Sequence, residues 1–103
     1  MPRAHHDRII GLIADTIGEL NAKRDRHRAI PIAPGTVLVG ETGWLDSLGL
    51  VTLAVVLEAK VQQAFGESIV VIELILAGET DECTVASLAD VIAAEVDHVP
   101  AAG

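Results

Sequence analysis

The sequence predicts an all-α fold, a four-helix bundle with three main helices, one short third helix and a long loop between helices 1 and 2. Apolar residues recur every three or four positions in three separate segments, which is the spacing of a buried helical stripe. Trp44 and Phe65 are the only aromatic residues among 103, so the core has to be aliphatic. This length suits a single domain, and we expect its ordered core at about residues 6–97.

The first helix is expected over about 6–26, with Ile9, Ile13 and Ile17 on its buried stripe. The basic cluster 23–28 would then lie at the C-terminal end of this helix, where positive charge suits the helix dipole. The following segment, 29–45, is rich in proline and glycine and predicts a loop. Loops of this length are uncommon in compact domains and are often functional.

The second helix is expected to begin at Asp46–Ser47, because Asp46 is a good N-cap, and to stop at Gly66. Its apolar stripe would consist of Leu50, Leu53, Leu57 and Val61. Residues 69–72 are β-branched, but a lone strand would have no partner, so we expect a short helix around 72–77 instead. The last helix is expected over about 84–97, capped by Thr84. Its buried stripe would consist of Val85, Leu88, Ile92 and Val96.

The formal net charge of −8 is unevenly distributed. Six of the seven basic residues lie within the first 28 positions. From Ala29 onward the sequence has one basic residue, Lys60, and eleven acidic residues. Such a surface repels nucleic acid and anionic membranes, so we expect neither as a partner, but a basic patch on another protein would attract it. The polar N-terminus does not resemble a secretory leader, and a cytoplasmic monomer is expected.

Few side chains could carry chemistry. Cys83 is the only cysteine, so an internal disulfide and a thiolate metal cluster are excluded, and no metal site is expected. Ser47 as a catalytic nucleophile would need a base and an orienting group. The four histidines lie in the terminal segments or the basic cluster, and no Gly-x-Ser-x-Gly elbow is present. A small hydrolase is therefore the least favoured alternative, and we expect no enzyme.

Ser47 fits better as the target of another enzyme. Its hydroxyl would be exposed in the first turn of a helix, at the end of the long loop. A phosphate attached there would meet free backbone N–H groups and the positive end of the helix dipole. Such a site stabilises a phosphodiester without a base of its own.

The run 44–53, with Asp46, Ser47 and Leu48 at its centre, resembles the Asp-Ser-Leu modification motif of acyl carrier proteins. Residues 84–92 resemble the start of the last helix of that family. The resemblance implies a four-helix bundle of acyl-carrier type in which Ser47, flanked by Asp46, bears 4′-phosphopantetheine. It also implies that acyl groups are carried as thioesters on this arm in fatty acid, polyketide or related specialised biosynthesis. The implied partners are a phosphopantetheinyl transferase and acyl-loading and acyl-transfer enzymes.

The resemblance further implies an exposed recognition face on the second helix, formed by Leu48, Val51, Val55 and Glu58. The acyl chain would enter the core near Leu53, Leu57 and Ile72. Gly49, Thr52 and Ala59 stand where family members commonly have acids, which favours a dedicated partner set over a general fatty-acid synthase. The alternative is an unmodified helical protein–protein interaction domain with a carrier-like fold; the cargo and the pathway stay open.

Overall fold

The computed structural model describes residues 2–66, 68–76 and 82–98. In chain order these residues form α1 (Pro2–Asn21), a 3-10 turn (Arg26–Arg28), β1 (Val37–Val39), α2 (Ser47–Phe65), α3 (Val71–Leu76), β2 (Cys83–Thr84) and α4 (Val85–His98). The described chain is mostly helical, and its four α-helices are compatible with the small bundle that the apolar periodicity predicts.

The three long helices meet in one aliphatic core. Helix α1 packs against α2 and α4, and α3 contacts both α2 and α4. The residues at the centre of this core have no exposed surface: Ile9, Ile13, Ile17, Leu53, Leu57, Val61, Leu88 and Ile92. Burial of each such side chain stabilises the fold by about 1.5–3 kcal/mol. The helical stripes predicted from the sequence are therefore the ones that build the core.

The prediction of a purely helical chain is wrong in one respect, because β1 and β2 form a two-stranded antiparallel sheet. Val37 lies opposite Thr84 and Val39 lies opposite Cys83, with an irregularity in the ladder between them. Strands of three and two residues are too short to show the alternating pattern that reveals a strand in a sequence. The sheet therefore depends on a tertiary contact between the long loop and the residues before α4.

Helix α1 also differs from its predicted bounds, since it begins at Pro2 and ends at Asn21. The side chain of Asn21 explains the early end: its Nδ2 donates to the carbonyl of Ile30 (3.0 Å) and its Oδ1 accepts from the N–H of Ile30 (2.7 Å). These two bonds close residues 21–30 into what we call the basic loop. The basic residues 23–28 therefore follow the helix and do not belong to its last turn, so the predicted helix end at about residue 26 is wrong.

The predicted helix ends elsewhere are supported by their caps. Gly66 adopts the left-handed conformation after α2 (φ 72°), and its N–H donates to the Gln62 carbonyl (2.8 Å). Thr84 Oγ1 accepts from the N–H of Ser87 (3.1 Å) in the first turn of α4. Helix α3 begins one residue earlier than predicted, at Val71, and the predicted end at Ala77 lies outside the described residues.

Helix α2 is the one helix of the described chain that is long and apolar enough to cross a membrane, judged by length and composition alone. Its inward face is nonetheless part of the protein core, because Leu53, Leu57 and Val61 have no exposed surface. The expectation of a cytoplasmic protein without a membrane partner stays a prediction.

Candidate functional site

The start of α2 is held in place by the end of the long loop. The N–H of Trp44 donates to the Val37 carbonyl and the N–H of Leu45 donates to the Leu38 carbonyl, both at 3.0 Å. The chain therefore folds back along β1 immediately before the predicted site. Leu38 is fully buried in the core and anchors the segment that folds back along β1. Trp44 keeps 38% of its surface exposed.

The same segment is tied to the start of α4 from its other side. The N–H of Val85 donates to the Thr36 carbonyl (3.0 Å), and the N–H of Ala86 donates to the Pro34 carbonyl (2.9 Å). The loop that precedes α2 is thus bonded to the first turn of α4. Segments 44–53 and 84–92 are connected through these contacts.

Gly43 marks a place where the returning chain leaves no room for a side chain. A Cβ atom at this position would lie 2.8 Å from both the Gly40 nitrogen and the Leu38 oxygen, which are backbone atoms that cannot move aside cheaply. Gly40 itself has a φ of 137°, in the region that favours glycine. The tight turn before the site therefore depends on these two glycines.

Gly43→Ala is expected to destabilise the protein by about 1–3 kcal/mol, because the added methyl group overpacks a backbone contact. Gly35→Ala is the matched control, since a Cβ at Gly35 would meet no atom within 4 Å. Urea denaturation of the two variants measures the difference in free energy of unfolding. Equal midpoints for both variants would contradict the close approach at Gly43.

Asp46 caps α2, as predicted. Its backbone is extended (φ −86°, ψ −176°), its Oδ1 accepts from the N–H of Gly49 (2.7 Å), and its carbonyl accepts from the N–H of Leu50 (2.9 Å). A Cβ at Gly49 would lie 3.1 Å from this Oδ1 and 3.2 Å from Cδ2 of Leu45. The absence of a side chain at Gly49 therefore lets the cap and Leu45 close over the first turn.

Asp46→Ala is expected to cost about 0.5–2 kcal/mol of stability, since the N–H of Gly49 loses its acceptor. The loss of stability for Asp46→Asn should be only a few tenths of the loss for Asp46→Ala, because asparagine caps about as well as aspartate. Thermal or urea unfolding of both variants measures the effect. An alanine variant as stable as the asparagine variant would show that the cap contributes nothing.

Ser47 occupies the first position of α2, and its residue is exposed. Its hydroxyl makes no hydrogen bond to any other residue of the described chain. Helix geometry leaves the N–H groups of Ser47 and Leu48 without acceptors inside the helix. The oxygen is thus accessible, and the donors beside it can receive an anion.

Three of the four histidines considered as bases have contacts elsewhere or are exposed, and the side chain of His98 lies outside the described part of the chain. His6 Nε2 lies 2.9 Å from Asp90 Oδ1, which joins α1 to α4, and the ring of His5 packs edge-on against Phe65. His27 is exposed in the 3-10 turn. The structure therefore brings no histidine of the described chain into hydrogen-bond contact with Ser47.

The outward face of α2 is mainly apolar. Leu48 is 76% exposed, Val51 51% and Val55 60%, while Glu58 is half-buried. The one base of the helix, Lys60, is paired with Glu19 of α1 (2.6 Å). The structure thus brings the four predicted recognition residues to one side of the helix, and their role in recognition stays a prediction.

The residues predicted to receive an acyl chain lie on the opposite side of α2. Leu53 and Leu57 have no exposed surface, and Ile72 of α3 is partly buried against the same core. Entry of an acyl chain between these residues stays a prediction.

The sequence does not predict the polar cleft that lies beside the start of α2. It has a volume of about 260 Å³ and is lined by Lys23, Arg24, Asp25 and Arg28 of the basic loop together with Asp46. The sequence shows the basic cluster, but it does not show that the chain turns back at Asn21 and brings this cluster to Asp46. The ring of polar groups is therefore a product of the tertiary fold.

No family model, curated protein or solved structure matches this chain. The geometry around Ser47 and the local motif are thus the basis on which a function can be assigned.

Proposed function

We propose that this chain is an acyl carrier protein with a four-helix bundle of acyl-carrier type, and that Ser47 carries a 4′-phosphopantetheine arm. The arm would hold acyl intermediates as thioesters and present them to partner enzymes of fatty acid, polyketide or related specialised biosynthesis. The observation that carries the proposal is the exposed residue Ser47 in the first turn of a helix capped by Asp46, with a hydroxyl that has no hydrogen-bond partner in the described chain.

The surroundings of Ser47 fit a phosphopantetheine arm. Transfer from coenzyme A requires the Ser47 oxygen to attack the phosphorus that bears the pantetheine. The phosphoanhydride bond then breaks, adenosine 3′,5′-bisphosphate leaves, and the proton of the hydroxyl passes to a base of the transferase. The resulting phosphodiester carries one negative charge, which the free N–H groups of Ser47 and Leu48 and the positive end of α2 stabilise.

The outward face of α2 supports the proposed partners, a phosphopantetheinyl transferase and acyl-loading and acyl-transfer enzymes. Exposed apolar residues that follow one helical stripe next to a reactive group are suited to a protein contact. Leu48, Val51 and Val55 lie at such spacings directly after Ser47, with Glu58 one turn further. The apolar character of this stripe supports a partner whose surface is itself largely apolar, in line with a dedicated partner set.

Val55→Asp is expected to slow modification of Ser47 by about tenfold, since a carboxylate would have to lose its water on docking, at a cost of about 1.4 kcal/mol. Gln63→Asp is the matched control, because Gln63 is an exposed residue of the same helix far from Ser47. The rate of arm transfer at limiting concentrations of each variant measures the effect. Equal rates for both variants would exclude this face from the contact.

Incubation with coenzyme A and a phosphopantetheinyl transferase of broad specificity tests the proposal. The intact mass is expected to rise by one arm, with one equivalent of adenosine 3′,5′-bisphosphate released. An unchanged mass with several active transferases would contradict the proposal. That outcome would favour the unmodified interaction domain, whose contact surface would be the same apolar stripe of α2.

A further inference from the structure

The polar cleft beside Ser47 is the basis of a second inference, which rests on the proposed function. We propose that this cleft is a phosphate site and that it holds the phosphodiester of an arm attached to Ser47. Its cationic groups would come from Lys23, Arg24 and Arg28 of the basic loop, and Asp46 forms the wall that adjoins Ser47.

The described residues that line the cleft carry one more positive than negative charge. Three bases line it against two acids, in a chain whose net charge is −8. None of Lys23, Arg24 and Arg28 forms an ion pair with any residue in the ranges that the structure describes. By contrast, Lys60 of α2 is paired with Glu19 at 2.6 Å. Unpaired cations gathered in a concave site favour an anionic ligand.

The cleft is held in shape before any ligand arrives. The two hydrogen bonds between Asn21 and Ile30 close the base of the basic loop. Within the loop, the Nε–H of Arg24 donates to the Arg28 carbonyl (2.9 Å), and the N–H of Arg28 donates to the Asp25 carbonyl (2.8 Å). Because these bonds order the basic segment in advance, a ligand does not have to supply that ordering free energy.

The position of the cleft indicates which phosphate group it would bind. Asp46 lines the cleft and directly precedes Ser47, so a phosphate on Ser47 stays at the edge of the cleft at an effective concentration on the order of millimolar. The same phosphate lies beside the carboxylate of Asp46, and like charges at this distance repel. Lys23 and Arg28 would offset that repulsion, and an arginine can bind two phosphate oxygens at once.

The double variant Lys23→Gln/Arg28→Gln tests the site, with Arg26→Gln as the matched control. Arg26 belongs to the same loop and carries the same charge, but it does not line the cleft. Arg24 is left unchanged because its side chain supports the loop. Unmodified proteins are titrated with inorganic phosphate at constant ionic strength, and the amide resonances of residues 21–30 are followed by NMR. In transferase-treated proteins, the phosphorus resonance of the phosphodiester is followed as well.

In the wild type and in Arg26→Gln, phosphate is expected to shift the loop amides with a saturable, millimolar response. In the double variant, the shift of the loop amides that phosphate produces should be at least tenfold smaller. In the transferase-treated double variant, the phosphorus resonance should also move to the position of a serine phosphodiester in water. Equal responses in the double variant and in Arg26→Gln, or no response in the wild type, would overturn the proposal. Phosphate binding to a chain that transferases leave unmodified would support the cleft while rejecting the carrier function, so the two failures are distinguishable.

Discussion

Ser47→Ala is expected to abolish the gain in mass that a phosphopantetheinyl transferase and coenzyme A produce. The variant lacks the oxygen that forms the new phosphodiester, so no residual rate is expected at this position. The fold should persist, because a substitution at an exposed residue changes stability by only about 0.5 kcal/mol or less. Intact-mass spectrometry of the treated variant measures the loss, and its helical content checks that it is folded.

Ser68→Ala is the matched control for this experiment, because Ser68 is also exposed but lies outside the helices. This variant should gain one arm at the rate of the wild type. A full gain in mass for Ser47→Ala would place the modification on another side chain. It would also remove the reason for assigning a role to the first turn of α2.

Leu57→Ala is expected to destabilise the protein by about 2–5 kcal/mol. Leu57 has no exposed surface and lies in the middle of α2, a helix that packs against α1 and α3, so truncation would leave a cavity in the aliphatic core. The loss is a large part of the roughly 5–15 kcal/mol that keeps a domain folded. Urea denaturation followed by circular dichroism measures the free energy of unfolding.

Leu48→Ala provides the comparison within the same helix. Leu48 is 76% exposed, so its truncation should change stability by only about 0.5 kcal/mol or less. The same substitution at the two leucines thus separates the inward face of α2 from its outward face. Similar losses at both positions would mean that α2 does not pack on the core with Leu57.

The helices could be predicted from the sequence because each long one carries an aliphatic stripe at helical spacing and a recognisable end. The stripe of Ile9, Ile13 and Ile17 is fully buried, and so is that of Leu53, Leu57 and Val61. The caps at Asp46 and Thr84 and the stop at Gly66 depend on local chemistry that a sequence displays directly. Local signals of this kind do not require knowledge of the tertiary fold.

The features that the sequence did not predict depend on contacts between distant segments. Strand β1 is defined by its pairing with Cys83–Thr84, and two residues are too few to indicate a strand. Helix α1 ends at Asn21 because its side chain bonds to Ile30, although the residues that follow are compatible with a longer helix. The same contact closes the loop whose basic residues line the cleft at Asp46. The sequence therefore predicts the site at Ser47 but not the basic cleft beside it.

The two faces of α2 explain how one helix can serve both the fold and the proposed function. Its inward residues, such as Leu57, hold the bundle together, whereas Val51 and Val55 remain available to a partner. Ser47 lies at the end of this helix that the capping contacts fix. The site is therefore presented on a rigid element, which suits a carrier that has to dock with several enzymes.

Peptide mapping by tandem mass spectrometry, applied after treatment with a transferase and coenzyme A, tests the modification at Ser47 most directly. The peptide that contains Ser47 is expected to carry one phosphopantetheine group. On fragmentation this group is lost either as pantetheine, which leaves a phosphate on Ser47, or as the whole phosphopantetheine, which leaves a dehydroalanine at position 47. An unmodified Ser47 peptide, or the same group on Ser68, Ser87 or a threonine, would contradict it.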